Sequence, residues 1–160
     1  MSLAIRIARA DDVATILGFI RDLADYEKLA HEVVADEAQL RATLFGPRPA
    51  AEVLIAELAG EPVGFALFFT SYSTFLAKPG LYLEDLFVRP AARGSGVGGA
   101  LMAACAKVAV ERDYGRFEWS VLDWNEPALK FYRSLGATPM GEWTVQRLVG
   151  EPLRALAARG

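Results

Sequence analysis

Leu81-Tyr82-Leu83-Glu84-Asp85-Leu86-Phe87-Val88-Arg89-Pro90-Ala91-Ala92-Arg93-Gly94-Ser95-Gly96-Val97-Gly98-Gly99 decides how this chain is read. It reads as a hydrophobic strand, a short loop, a run of glycines and the opening of a helix. Glu84 and Asp85 interrupt the strand, and an acid inside a strand is costly to bury unless it has a partner or a task. Glycines before a helix let backbone N–H groups crowd around an anion at the positive end of the helix dipole. One segment therefore offers a candidate base and a candidate phosphate cradle a few residues apart.

Two parses compete for the glycines. Gly94-x-Gly96-x-x-Gly99 formally matches the dinucleotide fingerprint. That fingerprint needs glycines directly after the strand and an acid about twenty residues on. Here Arg89 to Arg93 intervene, and Asp123 comes after the next strand, not at its end. Arg93-x-x-Gly96-x-Gly98 is the better parse. It resembles the pyrophosphate-binding loop of the Gcn5-related N-acetyltransferases, which bind acetyl-coenzyme A. Alone, the same run would also serve as a flexible turn with small residues for tight packing.

Composition narrows the setting. A chain of 160 residues fits one domain, residues 1–160, with one sizeable core. A net charge of −3 and a pI near 5.2 argue against a general nucleic-acid binder and are compatible with a cationic substrate. The single cysteine, Cys105, excludes an intrachain disulfide framework and a Cys-rich zinc site, so no metal is expected. Its apolar helical setting makes it a buried structural thiol. No apolar run reaches membrane-spanning length and no secretory leader is evident, so the cytoplasm is the expected location.

Elements can be laid out along the rest of the chain. Ala4 to Ala8 form a first strand. Asp11 or Asp12 caps a helix to about Glu27, with Val13, Ile16, Leu17, Ile20, Leu23 and Ala24 on one face. Asp36 caps a shorter helix with Leu40 and Leu44 inward, ended by Gly46-Pro47. Val53 to Leu58 and Val63 to Thr70 pair around Gly60. Ser71 to Gly80 reads as a loop, and Leu81 to Val88 as a strand. A helix runs from Gly98 to about Arg112, then a strand from Arg116 to Val121. Glu126 to Leu135 is a helix with Pro127 in its first turn and Gly136 as its stop. Trp143 to Val149 closes as a strand. The order β-α-α-β-β-β-α-β-α-β makes a mixed α/β domain whose 81–121 unit is a parallel crossover. This is also the order of the acetyltransferase family, so the resemblance spans almost the whole chain. It implies a mixed, mostly antiparallel central sheet flanked by helices.

A second segment, Asn125-Glu126-Pro127-Ala128-Leu129-Lys130-Phe131-Tyr132-Arg133-Ser134-Leu135-Gly136-Ala137, resembles that family's fourth motif. By itself Asn125 reads as a helix cap and Tyr132 as a buried aromatic. The resemblance implies that Asn125, Glu126, Pro127 and Ala128 contact the cofactor and that the Tyr132 hydroxyl protonates the departing sulfur. It further implies that Leu86, Phe87 and Val88 pair through their backbone with pantetheine, and that Arg93, Gly94, Ser95, Gly96, Val97, Gly98 and Gly99 hold the pyrophosphate.

Leu-Tyr-Leu-Glu-Asp, Leu-Asp-Trp-Asn, Ala-Asp-Tyr-Glu-Lys and the late Glu-Trp resemble the diamine acetyltransferase branch, which includes spermidine/spermine and thialysine acetyltransferases. In that branch Tyr26, Glu27, Glu84 and Glu142 correspond to acceptor-pocket residues, and Asp85, the neighbour of Glu84, is a further candidate to hold the acceptor. Glu118, Trp119 and Ser120 match the acceptor-side strand. The branch also implies a homodimer. Two departures count against long polyamines. The Ser71–Gly80 segment has no tryptophan, and the acidic stretch near the C-terminus is shortened to Gly141-Glu142-Trp143.

The chemistry explains the residue types. A primary amine of pKa about 10.4 is mostly protonated at pH 7, and freeing its lone pair costs about 4.6 kcal/mol. A carboxylate, here Glu84, can bind the ammonium and then accept its proton. Backbone N–H groups polarise the acetyl carbonyl. The expected protein is therefore an N-acetyltransferase that moves an acetyl group from acetyl-coenzyme A to a small cationic amine, with no nucleic-acid or membrane partner. The alternatives are a protein amine as acceptor, a non-catalytic acyl-coenzyme A module, and a nucleotide-dependent oxidoreductase read from the glycines.

Overall fold

The computed structural model describes residues 2–160, which group into two compact units, one running to Leu122 and one covering Asp123–Gly160. The first unit is built on a five-stranded sheet in chain order: β1 (Leu3–Ile7), β2 (Glu52–Leu58), β3 (Glu61–Ser73), β4 (Lys78–Val88) and β5 (Phe117–Trp119). The first four strands pair antiparallel and β4–β5 pair parallel, so the sheet is mixed and mostly antiparallel, as expected. Helices α1 (Val13–Tyr26), α2 (Glu37–Phe45) and α3 (Val97–Glu111) accompany it, and α3 is the expected crossover between β4 and β5.

Alternation gives the sheet two apolar faces. Val53, Ile55, Phe65 and Phe87 point to α1 and α2, where they meet Ile16, Leu17, Phe19, Leu40 and Leu44. Phe19 and Phe65 stack with ring centroids 5.3 Å apart. Each such fully buried side chain contributes about 1.5–3 kcal/mol. Leu54, Ala56, Ala66, Phe68, Leu81 and Leu83 face the other way, towards Leu101, Met102 and Cys105 of α3. Cys105 is buried there and its thiol is pushed up to about 12, which makes it inert.

Helix starts follow local chemistry. Asp36 and Gln39 form a reciprocal capping box on α2, at 2.8 and 2.9 Å. Asp12 precedes α1 but gives that helix no side-chain cap. Its carboxylate is taken by the Arg6 guanidinium, at 2.8 and 2.9 Å, and by the Arg9 N–H at 2.7 Å, which hold it down to about 2. Asp12 thus ties the start of α1 to β1.

The segment expected as a loop, Ser71 to Gly80, is mostly ladder: Ser71 pairs with Gly80, Tyr72 with Pro79 and Ser73 with Lys78. Only Thr74–Ala77 turns. Pro79 and Gly80 read as loop signals, yet they sit near the start of β4, where proline is tolerated. The strand expected over Arg116–Val121 is limited to Phe117–Trp119.

The second unit holds α4 (Glu126–Ser134) and α5 (Gly150–Ala157). Asn125 caps α4 by accepting from the Ala128 N–H at 3.4 Å, Pro127 lies in the first turn, and Gly136 stops the helix at φ 87°. The strand expected over Trp143–Val149 is not formed: the segment is irregular, with Trp143 and Val145 each 78% exposed. Arg147 breaks its apolar alternation, leaving no continuous face to bury. Helix α5 follows instead, with Glu151 in its first turn and Arg154 in its last, which complements the helix dipole.

Candidate active site

The central irregularity of the first unit is a bulge in β4. Leu67 pairs with Asp85 and Phe68 with Leu83, so Glu84 has no partner on β3. In a regular strand, neighbours Glu84 and Asp85 would point to opposite faces. A bulge re-aims side chains, and here both acids line one open cleft of about 390 Å³. Its other walls are the end of α1, with Leu23, Ala24 and Glu27, and the connector that follows, with Leu29, Glu32 and Val34.

Three carboxylates thus share a confined volume. Asp85 is half-buried and Glu84 exposed. Burial first, then the charges of Glu84 and Glu27, push the Asp85 carboxyl up from its ordinary 3.8 to about 7. Burial and the charge of Glu84 also raise Glu27. A carboxyl poised near neutrality can accept a proton from an amine, and its neighbours make the cleft attractive to a cation.

The far edge of β4 is the second feature. Pairing with β5 stops at Leu83–Trp119. From Glu84 to Val88 no strand among the described residues pairs with that edge, so the backbone groups that point outward are open to an extended ligand, apart from the Val88 carbonyl, which Arg93 already reaches. Leu86 and Val88 turn their backbone groups towards this edge. Phe87 does not: the Arg89 N–H donates to the Val63 carbonyl, so two residues earlier Phe87 turns its backbone to β3, where it pairs with Phe65, and its ring is buried in the core.

The glycine loop follows directly. Gly94 and Gly96 adopt left-handed φ of 82° and 80°, a conformation that strains other residues. Gly96 stands at the N-terminus of α3, whose first N–H groups receive no side-chain cap. Gly98 and Gly99 have ordinary φ, and a Cβ at Gly98 would meet only Val88 Cγ2 at 3.9 Å. Nothing within the protein requires glycine there, which fits a ligand that lies close to the backbone. The Arg93 Nε–H donates to the Val88 carbonyl at 3.1 Å, and its guanidinium lies 5.0 Å from the Tyr26 ring centroid. Arg93 therefore joins the loop to the end of α1. The cradle, the uncapped helix start and the open edge fit the pyrophosphate and pantetheine of coenzyme A.

Other expected residues fall in different places. Glu118 is the register partner of Tyr82, and Ser120 Oγ lies 2.6 Å from the Tyr82 hydroxyl, so both are on the Asp85 face. Trp119 pairs with Leu83 and packs on Phe117 at 4.9 Å, so alternation puts it on the opposite face. Asn125, Glu126, Pro127, Ala128, Tyr132 and Glu142 belong to the second unit. There Tyr132 is half-buried beside Phe131, with centroids 5.5 Å apart, and Glu126 pairs with Arg133 at 3.5 Å. Glu142 is exposed in a turn. Sequence reasoning missed Glu32, a fourth acid of the cleft; the irregular connector that carries it has no periodicity to read.

Residues 15–137 match the model of the acetyltransferase (GNAT) family, and the chain belongs to that family. It is an enzyme, an N-acetyltransferase that uses acetyl-coenzyme A as its acetyl donor. Over 169 residues it is 40% identical to the thialysine N-epsilon-acetyltransferase of Sus scrofa, covering 99% of both chains. It is 35% identical to the L-ornithine N5-acetyltransferase of Arabidopsis thaliana, over 95% of this chain and 86% of that one. Among solved structures, an integron cassette protein from the mobile metagenome of V. cholerae superposes with a TM-score of 0.82 at 28% identity, covering 98% of each chain.

Proposed function

We propose that the enzyme acetylates the terminal amine of a small cationic acceptor, a diamine, polyamine or thialysine-like amino acid, and that the Glu27–Glu84–Asp85 cleft receives it. The observation that carries this reading is the bulge at Glu84, which turns two consecutive acids into one cleft beside the open edge of β4. The similarity to thialysine and ornithine acetyltransferases supports it.

In this reading Glu27 and Glu84 attract the ammonium group. The sequence alone gives the proton-accepting role to Glu84; we keep Glu84 as the direct ammonium partner and add Asp85, whose carboxyl near 7 is matched to accepting the proton at neutral pH. Acetyl-coenzyme A supplies an activated thioester. The N–H groups of Gly94 to Gly99 at the start of α3 hold its pyrophosphate, the β4 edge from Leu86 to Val88 holds the pantetheine arm, and Tyr132 returns a proton to the sulfur. The whole chain acts as a single catalytic domain. The enzyme is a cytoplasmic homodimer without nucleic-acid or membrane partners. The exposed Trp143, Val145, Leu148 and Val149 support the dimer, since an apolar run of that density is commonly covered by a partner.

The test is thiol release from acetyl-coenzyme A with a panel of amines. Turnover with short cationic amines, lost in Asp85→Asn, supports the reading. Preference for neutral or anionic amines, indifferent to Glu27 and Asp85, would refute the cleft.

A further inference from the structure

We infer that Arg93 is a positioning residue for the acceptor amine, although it stands in the donor loop: its guanidinium braces the end of α1 and so fixes where Glu27 stands over the cleft. The inference rests on the amine-acceptor reading above.

Arg93 opens the glycine loop, and its place in sequence alone would send it to the pyrophosphate. The side chain turns elsewhere. Its guanidinium lies 5.0 Å from the Tyr26 ring centroid and 5.8 Å from that of Phe87. Phe87 belongs to the core under α1 and α2, and Tyr26 is the last residue of α1. The guanidinium therefore sits on the α1 face of the sheet, which is also the face of the carboxylate cleft. Helix α3, whose start would receive an anion, packs on the other face. The Arg93 Nε–H is also occupied, since it donates to the Val88 carbonyl at 3.1 Å.

The backbone behind this side chain is fixed. Ala92 is buried, and the N–H groups of Ala92 and Arg93 donate to the Arg89 and Pro90 carbonyls at 2.9 and 3.2 Å. The element it holds is less secure. Helix ends fray, and α1 ends at Tyr26, with Glu27 as its C-cap. Lys28 follows with a left-handed φ of 62°, a conformation that costs a non-glycine residue free energy. The Tyr26 ring is 38% exposed, and a cation within about 6 Å of its centroid is an attractive contact from outside the helix. Glu27, the next residue, lines the cleft.

One side chain thus touches the donor edge at Val88 and the acceptor wall at Tyr26, while its own backbone belongs to the donor loop. Removing the guanidinium leaves the glycine N–H groups and the two acids of β4 where they are. It releases the end of α1, and Glu27 with it. A binding carboxylate that loses its place weakens ground and transition states alike, so the loss falls on KM more than on kcat.

The experiment measures kcat and KM for ornithine and for 1,4-diaminobutane at saturating acetyl-coenzyme A. The proteins are full-length wild type, Arg93→Gln, Arg93→Lys, Tyr26→Leu and the double variant of Tyr26→Leu with Arg93→Gln. Arg93 is exposed, so its replacement should leave the fold intact. Glutamine can still donate to the Val88 carbonyl but carries no charge to set over the ring, whereas lysine keeps the charge. Arg93→Gln should raise the amine KM about three- to tenfold, the scale of one cation–π contact, and more than it lowers kcat. Arg93→Lys should recover part of that loss. In the Tyr26→Leu background the Arg93→Gln step should add little, because the ring it acts through is already gone. An unchanged amine KM in Arg93→Gln, with any loss confined to coenzyme A affinity, would make the guanidinium a phosphate ligand and overturn this inference alone. The full effect of Arg93→Gln persisting in Tyr26→Leu would overturn it too. Failure of the wild type to acetylate either amine while still binding coenzyme A would overturn the amine-acceptor reading and this inference with it.

Discussion

Replacing Asp85 by asparagine should make the protein more stable at neutral pH while nearly abolishing turnover. The cleft holds the Asp85 proton more tightly in the folded state, near 7, than the unfolded chain does, near 3.8. Between those values the unfolded state binds fewer protons than the native state, so wild-type stability falls as pH rises, and it levels off above about 7. A roughly thousandfold difference in proton affinity converts to about 4 kcal/mol. Asp85 is only half-buried on an open cleft, so solvent screening reduces the expected effect to about 1–2 kcal/mol. Asparagine keeps the shape and removes the charge. Urea denaturation at pH 4, 6 and 8 should show little difference between wild type and Asp85→Asn at pH 4, and an advantage of about 1–2 kcal/mol for the variant at pH 8. At this chain length that is a rise in Tm of about 2–8 °C. Acetyl transfer should fall about 10²–10⁴-fold, the usual scale for a lost general base. A stability difference that is the same at pH 4 and pH 8, or a variant less stable at pH 8, would refute the argument that this carboxyl is held under electrostatic and desolvation strain.

Three further outcomes are expected. The acid limb of the wild-type kcat/KM profile should lie near pH 7, and Glu84→Gln should move it to lower pH, because removing that charge relieves Asp85; a limb that does not move would separate the two acids. Gly98→Val should fold normally, since its φ is ordinary and its Cβ meets only a van der Waals contact, yet lose coenzyme A affinity by calorimetry; undiminished affinity would remove Gly98 from the cradle. Tyr132→Phe keeps the ring beside Phe131 and should bind coenzyme A normally while turning over about 10²–10⁴-fold more slowly; wild-type rates would leave Tyr132 a packing residue.

What the sequence disclosed was what is locally determined. The glycine loop was legible because Gly94 and Gly96 take left-handed φ, and the α4 cap because Asn125 and Pro127 are neighbours in sequence. The apolar face of α1 was legible from its spacing. The extent of the β3–β4 hairpin was not, since Ser71 to Gly80 carry turn-forming residues that the ladder overrides. The strand expected at Trp143–Val149 failed because a β-rich composition gives no ladder without an unbroken face. Glu32 was invisible because it joins the cleft only through the fold.

The bulge is the most consequential of these hidden features. Nothing in Leu81–Val88 marks Glu84 as the extra residue; its status depends on which residues of β3 stand opposite. That one slip accounts for the cleft. Without it, alternation would send one of the two acids to the α3 side, where Leu81 and Leu83 are buried and an unpaired carboxylate would be strongly destabilising. With it, both acids reach the α1 side, and the crowding that raises Asp85 becomes possible. The slip also comes directly after the last β4–β5 pair, Leu83–Trp119, where the far edge of β4 opens. In the proposed reading, the acceptor carboxylates and the donor-binding edge thus begin at the same residue of the same strand, with the glycine loop a short stretch of chain beyond. An enzyme that must bring a cation and a thioester together gains this proximity from a single irregularity in strand pairing, and inserting or deleting one residue at Glu84 should destroy both halves of the site at once.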